Sequence, residues 1–191
     1  MSLAYTPRLL EQLRGADLLI DTCTIIDASK CKEIEDFLCK IAESDCIFLS
    51  TPSIKEEFTC SANSIEEYEE LSRYIKTLQI VFLNDIPKRQ STLDTAVFDI
   101  ALSRCKNIHP SFVDRALLSV PYLYRNSSEK IYIITSNYKD VPSNFFDRIG
   151  FITCDAGHFN NIGIYSFSYP KFKKIISDID IGKIENIIRE S

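Results

Sequence analysis

The segment Asp17-Leu18-Leu19-Ile20-Asp21 sets three consecutive apolar residues between two carboxylates. It reads as a strand buried on both faces that ends at Asp21. Lys32 to Ala42 follows with Ile34, Phe37, Leu38 and Ile41 at helical spacing, and Cys46-Ile47-Phe48-Leu49 is a second apolar strand. Strand, helix, strand in this order implies a parallel pair joined by a crossover helix, which commits the chain to the α/β class.

The remaining elements extend this pattern. Leu3 to Leu13 reads as a leading amphipathic helix, and Thr51-Pro52-Ser53 opens another, because Pro suits a first helical turn. Ser64-Ile65-Glu66-Glu67 has the form of a capping box. Ser91-Thr92-Leu93-Asp94 heads a helix through about Cys105, and Ser111-Phe112-Val113-Asp114 heads one that Pro121 should end or kink. Ile131 to Thr135 is a third strand, Phe151 to Cys154 and Gly163 to Phe167 a fourth and fifth, and Lys171 to Arg189 is helical. With no repeat or linker, residues 1–191 are expected to form one α/β domain. Its leading helix covers 1–16, its core 17–176 and its last helix 177–191.

Composition narrows the function classes. Of 191 residues, 45% are apolar, enough for one real core, and 22 Lys and Arg against 27 Asp and Glu give a net charge of −5. No global basic field draws such a chain to nucleic acid or to an anionic membrane, so any RNA contact is local or helped by a cation. No apolar run approaches the roughly 20 residues that span a bilayer. Arg8, Glu11 and Arg14 interrupt the first residues, so the expected location is the cytoplasm. The seven Cys form no C-x-x-C and read as small buried hydrophobes. Cys23, Cys31 or Cys154 with His158 would match no zinc-module spacing.

In a parallel sheet, ligands bind beyond the carboxyl ends of the strands. Asp21 closes the first strand. Thr51-Pro52 leads from the second into a helix with Glu56 and Glu57, and Thr135-Ser136-Asn137-Tyr138-Lys139-Asp140 follows the third. At about 100° per residue with Ile54 at 0°, Phe58 lies near about 40°, Glu57 near about −60° and Glu56 near about 200°. Glu57 therefore borders the apolar face. The same wheel sets Asp114 inside the stripe of Val113, Leu117 and Leu118, although a capping role toward Ser111 fits equally well. Like charges about 4 Å apart repel by roughly 4 kcal/mol at an effective dielectric near 20, so a shared cleft calls for protonation or a cation. Oxygen ligands without clustered His or Cys favour Mg²⁺ or Mn²⁺.

Four segments together resemble a PIN domain, a family of metal-dependent nucleases. They are Leu18-Leu19-Ile20-Asp21-Thr22, Thr51-Pro52-Ser53-Ile54-Lys55-Glu56-Glu57-Phe58, Phe112-Val113-Asp114-Arg115-Ala116-Leu117-Leu118 and Ile131-Tyr132-Ile133-Ile134-Thr135-Ser136-Asn137. Gly163 to Phe172 is similar to that family's last strand and the Pro opening its final helix. The resemblance implies a three-layer α/β/α domain with a central parallel sheet of about five strands. It also implies Asp21, Glu57, Asp114 and Asp140 as metal ligands and Thr135 as the hydroxyl that orients the site. Where the family has Thr-x-Asp, this chain has Asn137, with Asp140 as the second acidic position.

The implied activity is Mg²⁺- or Mn²⁺-dependent hydrolysis of RNA phosphodiester bonds, in which Asn137, Asp140 or Thr135 positions the attacking water. The resemblance further implies the toxin of a toxin–antitoxin pair, with a small antitoxin protein and a second copy of the chain as partners. The alternative is a degenerate PIN-like module that binds RNA or a protein without cleaving. A phosphatase using Asp21 as nucleophile would want a second Asp where Cys23 stands. Local basic candidates for RNA are Lys30/Lys32, Lys88/Arg89, Arg104/Lys106 and Lys171/Lys173/Lys174. The aromatic pairs Tyr122/Tyr124 and Phe145/Phe146 are expected in the core rather than on a partner surface.

Overall fold

The computed structural model describes residues 7–83, 88–125, 130–153 and 161–190. In chain order the elements are α1 (Pro7–Leu13), β1 (Asp17–Ile20), α2 (Thr22–Lys30), α3 (Lys32–Ala42), β2 (Ile47–Ser50), α4 (Pro52–Ser61), α5 (Ile65–Thr77) and β3 (Val81–Phe82). They continue with α6 (Lys88–Ser103), α7 (Phe112–Leu123), β4 (Ile131–Thr135), a 3-10 turn (Tyr138–Asp140), β5 (Phe146–Ile152), β6 (Ile162–Phe167), α8 (Tyr169–Ile175) and α9 (Ile181–Glu190). This is an α/β fold around a six-stranded sheet of order β3-β2-β1-β4-β6-β5.

β3, β2, β1 and β4 are parallel, with Leu18 opposite both Phe48 and Tyr132. β6 runs antiparallel to both β4 and β5. The sheet is thus mixed rather than wholly parallel, and among the described residues it has six strands rather than about five. The cause is connection length: the segment from β5 to β6 is shorter than the dozen or more residues that a parallel crossover needs. β3 is two residues within the apolar run Ile80-Val81-Phe82-Leu83, a signal that the sequence reading left unused.

The alternation of side chains along the strands divides the core between the two faces of the sheet. Leu18, Ile20, Phe48, Ile134 and Ile164 pack with α1, α2, α3 and α5 through Leu13, Ile25, Phe37 and Leu71. Leu19, Leu49, Ile133 and Tyr165 pack with α6, α7 and α8 through Phe98, Leu118 and Phe172. Leu18, Leu19 and Ile20 are fully buried, and burying one such side chain stabilises the fold by ~1.5–3 kcal/mol. α4 straddles the sheet end, with Ile54 in one core and Phe58 in the other, so its N-terminus is held at the carboxyl end of β2.

Several elements differ from the sequence reading for local reasons. α2 follows directly on β1, where the β-branched run after Asp21 gives little helical pattern; the Asp21 carboxylate caps it by accepting from the Thr24 amide at 2.7 Å. Pro121 does not end α7, which runs to Leu123 with Pro121 in its final turn. The fourth strand begins earlier, at Phe146, and carries a register shift between Arg148 and Gly150. Its expected end at Cys154 lies outside the described residues, as does His158. The helix read over Lys171 to Arg189 is two helices, and Asp180 starts the second by accepting from the Lys183 amide at 3.0 Å. α1 is described from Pro7, so the first residues of the leading helix lie outside the description. Gly15, at φ +65°, turns the chain from α1 into β1. Among the described residues no helix is long and apolar enough to cross a membrane.

Candidate active site

β1 ends against the start of α2, which leaves Asp21 at a junction of strand end and helix cap with only 4% of its surface exposed. One carboxylate oxygen caps α2; the other accepts from the Thr135 hydroxyl at the end of β4. The neighbouring strands bring this pair together, since Asp21 N donates to Ile134 O at 3.4 Å. Burial pushes the Asp21 pKa up to about 6 against the pull of its hydrogen bonds to Thr135 and Thr24, and the charge of Asp114 raises it further. No Lys or Arg among the described residues is ion-paired with Asp21, Glu57, Asp114 or Asp140.

The loop after β4 is ordered around the same hydroxyl. Thr135 Oγ1 accepts from the Asn137 amide at 2.9 Å, and Asn137 Nδ2 donates to Asp140 Oδ2 at 2.7 Å across the 3-10 turn. Asp114 approaches from α7. It completes a capping box in which Ser111 Oγ accepts from the Asp114 amide at 3.1 Å, while Asp114 Oδ2 accepts from the Ser111 amide and hydroxyl at 3.1 and 2.8 Å. The two roles left open by the sequence coexist: Asp114 caps α7 and also faces the cleft.

Asp21, Asp114, Thr135, Asn137 and Asp140 line one small cleft with Leu117, Leu118, Ile133 and Val141. Residues far apart in the sequence thus converge at the carboxyl ends of β1 and β4. Glu57 stands outside this cleft, exposed on α4, and is tied to it through the Thr22 hydroxyl, which donates to Glu57 Oε2 at 2.5 Å. The thiol of Cys23, next to Thr22 on α2, is pushed up to about 12, first by partial desolvation of the sulfur and then by the charges of Asp21, Glu57, Asp114 and Asp27. Among the described residues no three His, Cys, Asp or Glu side chains are grouped closely enough to hold a metal ion. Asp114 and Asp140 are instead turned to Ser111 and Asn137. The donor chemistry itself, carboxylate, amide and hydroxyl oxygens around a buried acid without a cation, suits a hard divalent ion.

The sequence reading assigned no role in the site to Thr22 or Thr24. Thr22 carries the link to Glu57, and Thr24 Oγ1 accepts from the Ser136 amide at 3.1 Å, which pins the loop after β4 to α2. Their position directly after a strand-ending Asp was the available signal. Of the basic candidates, Lys32 pairs with Glu35 and Asp36, Arg104 with Asp178 and Lys171 with Asp147. The side chains of Lys88 and Arg89 lie outside the description. Tyr122, Phe145 and Phe146 are core residues as expected, and Tyr124 is partly buried. No protein-family model, curated protein or solved structure matches this chain.

Proposed function

We propose that the chain is a PIN-like ribonuclease with a three-layer α/β/α architecture that uses Mg²⁺ or Mn²⁺ to hydrolyse RNA phosphodiester bonds. The observation that carries this reading is Asp21, an acid buried at the carboxyl end of a central strand and ion-paired with no cation among the described residues, with Asp114, Asn137 and Asp140 around the same cleft. Groups perturbed by burial and like charge in a cleft are functional candidates.

Asp21, Asp114 and Asp140, which line the cleft, are the residues that would hold the ion, and Glu57 would join them only by leaving its hydrogen bond to Thr22 and turning in from α4. When bound, such an ion supplies a water of lowered pKa and offsets charge developing at the phosphoryl group. Thr135 fixes the Asp21 carboxylate through its hydroxyl, and Asn137 fixes Asp140 through its amide. Leu117, Leu118, Ile133 and Val141 form apolar walls that exclude bulk water, which strengthens electrostatic interactions inside. The roles of toxin, antitoxin partner and homodimer rest on the resemblance of the motif segments alone.

The test is calorimetric titration of the full chain with Mn²⁺, with cleavage of single-stranded RNA measured in the same buffer, on the native protein and on Asp21→Asn. Binding and Mn²⁺-dependent cleavage that both vanish in a folded Asp21→Asn protein are the expected result. Cleavage that persists in Asp21→Asn overturns the reading. Asn137 favours a second reading, a degenerate module that binds RNA or a protein without cutting. It stands in place of a carboxylate, and its amide is committed to Asp140. Absence of Mn²⁺ binding at millimolar concentration selects this second reading.

A further inference from the structure

A second cleft lies beside the acidic one, at the carboxyl ends of β2 and β3, and the proposed reaction makes no use of it. Its volume is about 260 Å³, and Thr51, Leu83, Asp99, Phe112, Arg115 and Val120 are among its lining residues. Three of these are unusual. Phe112, the first residue of α7, keeps 80% of its surface exposed. Thr51 is 6% exposed, yet its hydroxyl has no hydrogen-bond partner among the described residues, and it does not cap α4. Asp99 is partly buried, and its carboxylate has no hydrogen bond or ion pair among the described residues; burial raises its pKa while the charge of Arg115 opposes the shift.

We propose that this cleft is a nucleobase subsite that selects guanine in a single-stranded RNA, an inference that rests on the ribonuclease reading. An exposed aromatic ring beside a cation is a stacking platform for a base. An ionised carboxylate only accepts hydrogen bonds, so Asp99 selects an edge that presents donors. Guanine offers two adjacent ones, N1–H and the N2 amine, which match the two carboxylate oxygens. Adenine and cytosine each offer a single exocyclic amine, and uracil flanks its one N–H with two repelling carbonyl oxygens. Thr51 adds a hydroxyl that can donate to O6 or accept from an amine.

Size and position agree with this occupant. Ligand sites run from ~300 to 1,000 Å³, so this cleft suits one base rather than a larger molecule. The first turns of α7 serve both clefts, with Phe112, Arg115 and Ala116 on this one and Asp114, Leu117 and Leu118 on the acidic one. A strand whose phosphate lies at Asp114 can therefore set a neighbouring base against Phe112. Arg115, whose Nε donates to Pro110 O at 3.2 Å, is held where it can meet the backbone.

The experiment is calorimetric titration of the full chain with GMP, AMP, CMP and UMP in EDTA, on the native protein, Phe112→Ala and Asp99→Asn. GMP is expected to bind at least about tenfold more tightly than the other three. Phe112→Ala, at an exposed position that the fold does not need, should weaken GMP about tenfold, the scale of one lost base–aromatic stack. Asp99→Asn should abolish the preference for GMP over AMP. Equal affinity for all four nucleotides, no binding at millimolar GMP, or binding indifferent to Phe112→Ala overturns the proposal. Because EDTA removes cleavage from the assay, the two readings fail separately. GMP binding without Mn²⁺-dependent cleavage retains the subsite and overturns the nuclease, whereas cleavage without GMP binding does the reverse.

Discussion

Two buried aspartates of this chain have opposite surroundings. Asp94 on α6 meets Arg125 after α7 in a two-pronged pair, at 3.0 and 3.1 Å, with side-chain exposures of 12% and 19%. The guanidinium also lies 4.1 Å over the centre of the Tyr122 ring, which belongs to an aromatic cluster with Phe98, Phe167 and Phe172. Asp21, at the other end of the sheet, receives two hydrogen bonds and, among the described residues, no cation. The chain supplies Asp94 with full compensation inside the protein and leaves Asp21 incomplete. A buried charge without a counter-charge lowers stability, and this difference between the two aspartates is what the proposed function draws on.

The largest effect should come from breaking the compensated site. Arg125→Ala strands the Asp94 carboxylate and removes the cation from the Tyr122 ring, at an expected cost of about 3 kcal/mol, the low end for breaking a buried pair. Urea unfolding at pH 7 measures it, and a loss under about 1 kcal/mol would show that the pair is no more than surface decoration.

Asp21→Asn should act in the opposite direction. The Asp21 pKa is about 6 in the folded protein and near its ordinary value of 3.8 when unfolded. Between these values the folded state holds the extra proton, so stability declines as pH rises from about 4 to 6 and is level above. At ~1.4 kcal/mol per unit the total is on the order of 3 kcal/mol. The Asn variant should lose that slope and gain several degrees in thermal midpoint at pH 7 without divalent ions. A midpoint below that of the native protein would mean that the cap on α2 outweighs the buried charge.

The smallest effect belongs to Asp114. Ser111→Ala removes the hydroxyl that accepts from the Asp114 amide and donates to its carboxylate, which should cost about 1 kcal/mol by thermal unfolding. No change would show that the capping box contributes nothing to holding α7 against the cleft.

The elements that the sequence made legible are those that a single physical pattern dictates. β1, β2 and β4 are apolar runs, α3 has its buried residues at helical spacing, and α5 and α7 begin at Ser caps that accept from the third residue on. What stayed hidden depends on contacts distant in sequence. The antiparallel return of β6 beside β4 and the division of the last helical stretch at Asp180 are decided by neighbours and by one capping carboxylate. The acidic residues show the same limit. The helical wheel placed Asp114 toward the cleft, where it lies, but it also brought Glu57 near, and Glu57 remains on an exposed surface, tied in only through Thr22. The Asp94–Arg125 pair left no trace in the sequence, because its partners sit 31 residues apart, one on α6 and the other just beyond α7.

The hydrogen bond from Thr135 to Asp21 spans 114 residues, and this gives the site a schedule. A ribosome adding ~5–20 residues per second leaves Asp21 waiting about 6–23 s before Thr135 is made, and longer before Thr135 clears the exit tunnel. Through that interval the nascent chain already contains Asp21, Glu57 and, later, Asp114, but β1 has an open edge on the β4 side and Asp21 lacks its second donor. The cleft is thus among the last parts of the molecule to come into being. A chain released before β4 carries Asp21 and Asp114, two of the cleft's carboxylates, but neither Thr135 nor Asp140.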